Sequence, residues 1–351
     1  MRLLYVSSYH PTLEYNDLKL FTEMGINWFS TGIYANPKNP LKQLPWMNLN
    51  ITKEIDDKIL SDFYQLNPSH KQYGIINLNS DFVNQFDVVL CSFSFPRQDC
   101  LDLIYSHCGN VPVCFLTYSQ QFAPFELKLQ KYQKDGVYLI RGSPRESTIG
   151  NYAGHDAIIR CYVDEDIHTD YVGGEKNVLS FSNDFPPRIN APNFNCYRHY
   201  YRYIKPNLPC TLYGNQSEFA GGLGTVPFDQ LVSKYKTCGC YFSIGSPPAT
   251  VTYNFLEAWM TGTPIVAFGP KIGNGVDLAT HEVPYLVQNG IDGFWSDDTI
   301  ELLNTCTTLL NNPDLCKKVG EAGRNKCKQI FSKKVVKEQW LTFFREKGWY
   351  K

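Results

Sequence analysis

Short runs of apolar residues recur along this chain, and the stretches between them carry apolar residues at helical spacing. Runs of this kind, rich in β-branched and aromatic side chains, are typical of buried parallel strands. Their alternation with helices predicts a parallel α/β fold. The predicted strands are Arg2–Ser7, Phe86–Ser92, Val111–Leu116, Val137–Ile140, Ala157–Arg160, Asn177–Ser182, Cys210–Gly214, Cys240–Ile244, Thr263–Phe268 and Pro284–Val287. The predicted helices are Leu13–Met24, Gln98–His107, Phe228–Tyr235, Tyr253–Met260, Asp297–Leu310 and Pro313–Ile330, with a further candidate at Thr52–Gln65.

The clearest unit is a strand, a helix and a second strand between residues 239 and 269. Cys240–Ile244 and Thr263–Phe268 are the two apolar strands. Between them Thr250 is the expected N-cap, Tyr253–Met260 has helical spacing, and Gly262 stands where a helix usually stops. The candidate ligand-binding residues discussed below are located relative to this unit.

The start of this helix suits an anionic ligand. Residues 245–248, a glycine, a serine and two prolines, lead from the strand to the helix. The first turn, near Thr250, Thr252 and Tyr253, therefore presents free backbone N–H groups and the positive end of the helix dipole, which suit phosphate. Further along, Glu257 either accepts hydrogen bonds from two neighbouring sugar hydroxyls or simply occupies the solvated face of the helix.

The first predicted strand is followed by Ser8, Tyr9, His10 and Pro11. A dinucleotide-binding turn has the pattern GxGxxG, whose glycines let a pyrophosphate approach the backbone. Its absence argues against a dinucleotide-dependent dehydrogenase. His10 is either a residue of the ligand site or an ordinary loop histidine.

The distribution of charge and the spacing of the cysteines indicate which kinds of ligand and compartment suit this protein. The first 170 residues carry 14 Lys and Arg against 19 Asp and Glu, and the remainder carries 19 against 15. A basic second half suits an anionic nucleotide, whereas an acidic first half offers no stripe that tracks the phosphates of duplex DNA. The twelve cysteines include no CxxC pair, which favours free thiols over zinc ligands or disulfides. With no leader pattern and no apolar run of membrane-spanning length, we expect a cytoplasmic protein without a membrane span.

Several sequence motifs in the second half of the chain occur in the same order as in a known protein family. They are LEAWMTGTPI at Leu256–Ile265, the residues Gly290–Phe294, the run LLNNPDLCKKVGEAGRNKC and Phe331. This half resembles the C-terminal half of retaining GT-B glycosyltransferases of the GT4-like class ("glycosyl transferases group 1"). It is also broadly similar to that of phage DNA α-glucosyltransferases.

The resemblance implies two Rossmann-like domains that face each other across a cleft. Residues 1–165 would form the acceptor-side domain, residues 165–176 the linker and residues 177–330 the nucleotide-sugar-binding domain. Residues 331–351 would form a helix that crosses back to the first domain. Its amphipathic stripe consists of Val336, Trp340, Phe343 and Phe344.

The resemblance also assigns donor-binding roles. Arg188 would grip the donor diphosphate, Gly214 would lie where the loop passes the nucleotide base, and Glu257 would hold the ribose. Either Arg198 or Lys271, in the loop PKIGNG, would supply the second cation, and Gly273 in that loop would let the backbone approach a sugar phosphate.

Three positions depart from the family pattern. Asn193 stands where the family has a second phosphate-binding lysine, and Ala249 where it has the first of two glutamates. The family's histidine after the Val111–Leu116 strand is missing, and Gln120 or Ser119 is the candidate substitute. We therefore predict His10 and Gln120 as the catalytic candidates of the first domain.

The predicted function is transfer of a sugar, with retention, from a nucleotide-sugar such as a UDP-sugar to a hydroxyl acceptor. The helix N-terminus and Arg188 would stabilise the diphosphate leaving group, with no metal and no further cofactor obligatory. The acceptor would be a glycan, a small molecule or 5-hydroxymethylcytosine in DNA, which would have to be flipped from the stack. The alternatives are a GT-B sugar-nucleotide epimerase and a non-catalytic sugar-nucleotide-binding protein.

Overall fold

A computed structural model of the chain describes residues 1–7, 10–35, 57–69, 76–92, 99–118, 122–192, 194–275, 278 and 280–350. Within them the strands form two separate parallel sheets. We call each sheet with its helices a lobe. The predicted arrangement of two Rossmann-like α/β units is therefore confirmed.

The sheet of the first lobe has the strand order β2-β1-β3-β4-β5-β6. Its central strands are apolar along their whole length because helices cover both faces of the sheet. The strands are Arg2–Val6 (β1), Asn27–Ser30 (β2), Val88–Ser92 (β3), Val113–Leu116 (β4), Tyr138–Arg141 (β5) and Ala157–Ile158 (β6). The helices are Pro11–Glu23 (α1), Asp57–Leu66 (α2), Ser80–Val83 (α3), Asp99–His107 (α4) and Ala123–Lys134 (α5).

The sheet of the second lobe has the order β11-β10-β9-β7-β8 and is likewise covered on both faces. Its strands are Val178–Phe181 (β7), Cys210–Tyr213 (β8), Cys240–Ser243 (β9), Ile265–Phe268 (β10) and Phe294–Ser296 (β11). Its helices are Phe185–Asn190 (α6), Asn195–His199 (α7), Phe228–Thr237 (α8), Tyr253–Thr261 (α9), Pro270–Gly273 (α10), Val283–Leu286 (α11), Thr299–Leu310 (α12) and Pro313–Phe331 (α13).

The unit β9-α9-β10 is present as predicted, but its N-cap is not the predicted residue. The side chain of Thr252 accepts a hydrogen bond from the Phe255 N–H at 3.3 Å and so caps α9. Thr250 lies two residues earlier, is fully buried, and accepts a hydrogen bond at its carbonyl from the backbone of Glu282. The helix ends at Gly262, whose φ of +90° suits a glycine.

The last helix, Lys333–Glu346 (α14), crosses back onto the first lobe, as predicted. Its stripe of Val336, Trp340, Phe343 and Phe344 is buried in the same apolar cluster as residues of β1 and α1. The ring of Trp340 meets that of Phe21 edge-on, with 5.1 Å between centroids. The C-terminal helix therefore ties the end of the second lobe to the core of the first.

The strand predicted at Pro284–Val287 is wrong, because Val283–Leu286 forms a short helix with a proline in its first turn. A proline fits there, since the first N–H of a helix has no partner to lose. Residues 159–177, between β6 and β7, contain no helix or strand. Ile159 and Tyr162 still pack in an apolar cluster of the first lobe, so residues up to 162 are counted with that lobe. The domain limits 1–165 and 177–330 stay predictions. No helix in the described part of the chain is long and apolar enough to span a membrane.

Candidate functional site

A cavity of about 380 Å³ opens where the two lobes meet. Both lobes line it at the carboxyl ends of their strands, which is where parallel α/β sheets place ligand sites. The first lobe contributes His10, Leu13, Tyr118 and Cys161. The second contributes residues of β7 and β9, the loops that follow them, the helices α6 and α7, and the first half of α9. Its lining residues are Phe181–Asp184, Arg188, Tyr197, Tyr241, Ile244–Ala249, Val251–Asn254 and Leu256.

The loop after β9 delivers the start of α9 to this cavity. Gly245 adopts a φ of +84°, a conformation that glycine reaches without strain. The Ala249 N–H then donates to the Ser246 carbonyl at 2.9 Å and closes a tight turn. Thr252 caps the helix, and the N–H groups of the first turn, at Tyr253 and Asn254, have no intrahelical acceptor. This end of α9 is therefore suited to bind an anionic group in the cavity.

Arg188 is held against this loop. Its guanidinium donates to the Tyr197 hydroxyl at 2.7 Å and to the Ser246 hydroxyl, and lies 5.6 Å from the centroid of Phe194. The nearest carboxylate, that of Asp184, is 3.9 Å away and half exposed. Because the guanidinium is fixed and one quarter of the side chain is exposed, it can offer N–H groups to a phosphate in the cavity.

Gly214 does not line the cavity, but it holds the loop after β7, which does. A side chain at this position would place its Cβ 2.0 Å from the carbonyl oxygen of Ser182, and its φ is +129°. The next residue, Asn215, donates its N–H to the side chain of Asn183 at 2.7 Å. The glycine therefore lets the loops after β7 and β8 pack together.

Glu257 is buried, so it does not occupy a solvated face of α9. It accepts hydrogen bonds from the Tyr235 hydroxyl at 3.2 Å and from the Asn254 amide at 3.4 Å. Burial raises its pKa to about 8 and lowers that of His168, 3.8 Å away, to about 3. Both side chains line a separate cavity of about 10 Å³, behind the start of α9. The contact of Glu257 with a ribose stays a prediction.

On the opposite wall, His10 is exposed to the cavity and caps α1 through Nδ1, which accepts from the Leu13 N–H at 3.4 Å. Gln120, the other catalytic candidate, and its alternative Ser119 lie outside the described residues. Tyr118, which the sequence did not single out, lines the cavity and donates its hydroxyl proton to Asp17. Burial raises the pKa of Asp17 to about 7.

Lys271 and Gly273 do not lie on a loop, as was predicted, but in the short helix α10. Lys271 is exposed and Gly273 is buried against His281, whose Cδ2 would be 2.6 Å from an added Cβ. Neither residue lines the 380 Å³ cavity. The loop prediction failed because the proline that opens the segment also fits the first turn of a helix.

No group of three or more His, Cys, Asp or Glu side chains within the described ranges could hold a metal ion. The cysteines whose side chains the structure describes are free thiols, and most are buried.

No protein-family profile matches the sequence, and no curated protein matches it. Solved structures do match its fold. Sucrose-phosphate synthase from Thermosynechococcus elongatus is similar with a TM-score of 0.63 at 12% identity over 99% of each chain. Anabaena HepE in complex with UDP and glucose gives 0.56 at 12% identity, over 99% of this chain and 100% of that one.

A third similar structure is an α-glucosyltransferase in complex with UDP and a 13-mer DNA that contains an HMU base. It has a TM-score of 0.59 at 11% identity, over 98% of this chain and 99% of that one. These near-complete overlaps show that the chain has the GT-B fold, two facing α/β lobes with a helix that returns to the first. Because the sequences differ so much, the similarity shows the fold alone.

Proposed function

We propose that this protein is a glycosyltransferase that moves a sugar from a UDP-sugar to a hydroxyl acceptor with retention of configuration. The observation that carries the proposal is the convergence of the α9 start, the loop after β9 and the Arg188 guanidinium on one cavity between the lobes. Backbone N–H groups and a fixed guanidinium are the groups that recognise a diphosphate.

The donor would lie on the second lobe, with its diphosphate against the first turn of α9 and Arg188. Negative charge develops on the diphosphate as the bond to the sugar breaks. Prearranged donors at that position would stabilise it more in the transition state than in the bound substrate, which accelerates transfer. Anabaena HepE, which has this fold, binds UDP and glucose, and this supports UDP as the nucleotide.

The acceptor would approach from the first lobe, past His10 and Tyr118. Among the described residues that line the cavity, Asp184 is the only acid, and it lies on the donor wall beside Arg188. A pair of carboxylates flanking the sugar, as in a glycosidase, is therefore not formed by these residues. With no carboxylate among these described residues placed to attack the sugar, retention would proceed by transfer assisted by the leaving group on the same face of the sugar.

The acceptor is a glycan, a small molecule or a hydroxymethylated base in DNA. The similar α-glucosyltransferase that holds DNA with an HMU base supports including DNA in the set to be tested. The acidic first half of this chain weighs against long duplex contacts on that lobe. A glycan acceptor needs no phosphate-tracking surface, so it agrees better with this charge distribution.

The experiment that tests the proposal is release of UDP from UDP-glucose and other UDP-sugars, with and without acceptors. The acceptor set holds oligosaccharides and a short duplex with 5-hydroxymethylcytosine, with the unmodified duplex as its control. We expect acceptor-dependent release of UDP and a product with the anomeric configuration of the donor, read by NMR. An epimer formed without acceptor, or binding of UDP-sugar without turnover on any acceptor, would contradict the proposal.

A further inference from the structure

Residues 280–285, which we call the docking segment, form one of the places where the second lobe touches the first. Others are the hydrogen bond between Asn16 and Tyr253 and the bridge between Phe122 and Leu278. The Thr280 N–H donates to the Thr148 hydroxyl of the first lobe at 2.8 Å. The guanidinium of Arg145, also in the first lobe, lies 3.7 Å from the ring centroid of Tyr285. The docking segment is thus held to the first lobe at both of its ends.

Glu282, in the middle of the docking segment, is bound by two residues of the first lobe. Arg160 donates two hydrogen bonds to its carboxylate, at 2.7 and 3.0 Å, and the Ser143 hydroxyl donates a third at 2.6 Å. The carboxylate is almost fully buried. If these partners are lost, a buried charge remains unpaired, which is strongly unfavourable.

Glu282 also holds the loop that carries the candidate donor site. Its N–H donates to the Thr250 carbonyl at 2.8 Å, and the Thr250 hydroxyl lies 3.4 Å from its carboxylate. Thr250 itself is fully buried and directly follows the turn of Ser246–Ala249, which lines the cavity. It comes two residues before the cap of α9. Glu282 therefore accepts hydrogen bonds from the first lobe and, through its own N–H, holds the loop between β9 and α9, which we call the donor loop.

We infer that Glu282 is a positioning residue that couples contact between the lobes to the shape of the donor loop. When the lobes are in contact, Arg160 and Ser143 orient its carboxylate and its backbone, and Thr250 is held in the place that presents the start of α9. When they separate, those bonds are lost and the loop is released. By linkage, a ligand that binds the ordered loop must favour contact between the lobes to the same extent. The identity of that ligand as UDP rests on the proposed function.

The direct test removes a bond on the first lobe, far from the donor. Ser143→Ala deletes one hydrogen bond to Glu282 and also the hydroxyl that accepts from the Arg145 N–H. Arg160→Gln deletes the charge that faces Glu282, and neither residue lines the cavity. Ser147→Ala is the matched control, because this exposed serine lies on the short helix Pro144–Thr148, which Ser143 caps, and donates only to the Pro144 carbonyl. Ser143→Thr keeps the hydroxyl and should restore wild-type behaviour.

Two measurements are made on the full chain, after thermal melting has established that each variant is folded. The first is the dissociation constant of UDP by calorimetry. We expect it to rise about fivefold or more in Ser143→Ala and Arg160→Gln, which is the lower end of ordinary coupling between sites. The second is hydrogen exchange of peptides that cover residues 246–254, without ligand. We expect it to speed up in the same two variants and to stay unchanged in Ser147→Ala and Ser143→Thr.

The outcomes separate this inference from the proposed function. If wild-type protein binds no UDP, the donor assignment falls, yet faster exchange at residues 246–254 in the two variants still supports coupling. If exchange of residues 246–254 is the same in folded Ser143→Ala, folded Arg160→Gln and wild type, the inference is overturned, whether or not UDP binds. A loss of UDP affinity with unchanged exchange would also overturn it, because the loop would not be the element affected.

Discussion

Glu257→Gln should make the free energy of unfolding less dependent on pH. In the folded protein, burial raises the pKa of this carboxyl from 4.5 to about 8, and its hydrogen bonds from Tyr235 and Asn254 only partly oppose that rise. Between these two pH values the folded state keeps a proton that the unfolded state has released. The contribution of Glu257 to stability is therefore complete below pH 4.5 and is lost as the pH rises toward 8.

The size of the effect follows from the same linkage. Each pH unit within this window costs the wild-type protein about 1.4 kcal/mol. From pH 5.5 to pH 7.5 the free energy of unfolding of wild type should thus fall by roughly 2.5 kcal/mol more than that of Glu257→Gln, slightly less than two full units because the unfolded and the folded carboxyl each titrate partly at one end of this range. Glutamine has nearly the shape of the protonated acid and no charge to release, so all other titrating groups cancel in the comparison.

The assay is urea unfolding of both proteins at pH 5.5, 6.5 and 7.5, followed by circular dichroism. Glu321→Gln is the matched control, because it changes an exposed glutamate on α13 and should leave the pH dependence of wild type intact. Parallel curves for wild type and Glu257→Gln would refute the reasoning. They would mean that Glu257 is ionised in the fold and is reached by water.

Two further changes test the packing that supports the site. Trp340→Ala should lower the free energy of unfolding by about 3–5 kcal/mol, because this side chain is buried against Phe21 and its loss leaves a cavity. A loss of less than about 1 kcal/mol, measured by urea unfolding, would contradict the observed packing of α14. Gly214→Ala should weaken the binding of UDP, measured by calorimetry, because the added Cβ would lie 2.0 Å from the Ser182 carbonyl oxygen and displace the loop after β7. An unchanged affinity for UDP would show that this loop does not shape the donor site.

The central strands could be predicted from the sequence because both of their faces are buried. All four residues of β9 and of β10 are buried, so each appears as a continuous apolar run. The strands that the pattern missed, β2 and β11, lie at the edges of their sheets. Edge strands are covered less completely, and these two contain exposed or half-buried residues that break the apolar run.

Local features of the site could be predicted, whereas its long-range partners could not. α9 and the helix that carries Arg188 each follow a predicted strand through a loop, so the sequence indicated their place at the carboxyl edge of the sheet. Two threonines near that helix satisfy the preference for an N-cap, and the geometry selects Thr252 rather than Thr250. Glu282 gave no signal in the sequence, because Arg160, which pairs with it, lies 122 residues away.

Some side-chain roles that the sequence left open depend on which side chains are buried in the folded protein. The spacing of α9 did not distinguish a solvated Glu257 from a buried one, because neighbouring helix α8 supplies the Tyr235 hydroxyl that covers it. Tyr118 could have been noticed as the second residue after β4, yet its link to Asp17 on α1 depends on how the helix packs. Such contacts are set by tertiary structure and leave no local pattern.

The most direct test of the central claim is calorimetric titration of UDP into wild-type protein and into Arg188→Ala. Arg198→Ala is the matched control, since that arginine donates to the carbonyls of Ala191 and Pro192 and does not line the cavity. Loss of a charged hydrogen-bonding partner of the diphosphate should raise the dissociation constant at least about tenfold in Arg188→Ala. Wild-type affinity should remain in Arg198→Ala. Equal affinity of wild type and Arg188→Ala for UDP, or no binding of UDP to wild type, would contradict the donor site described above.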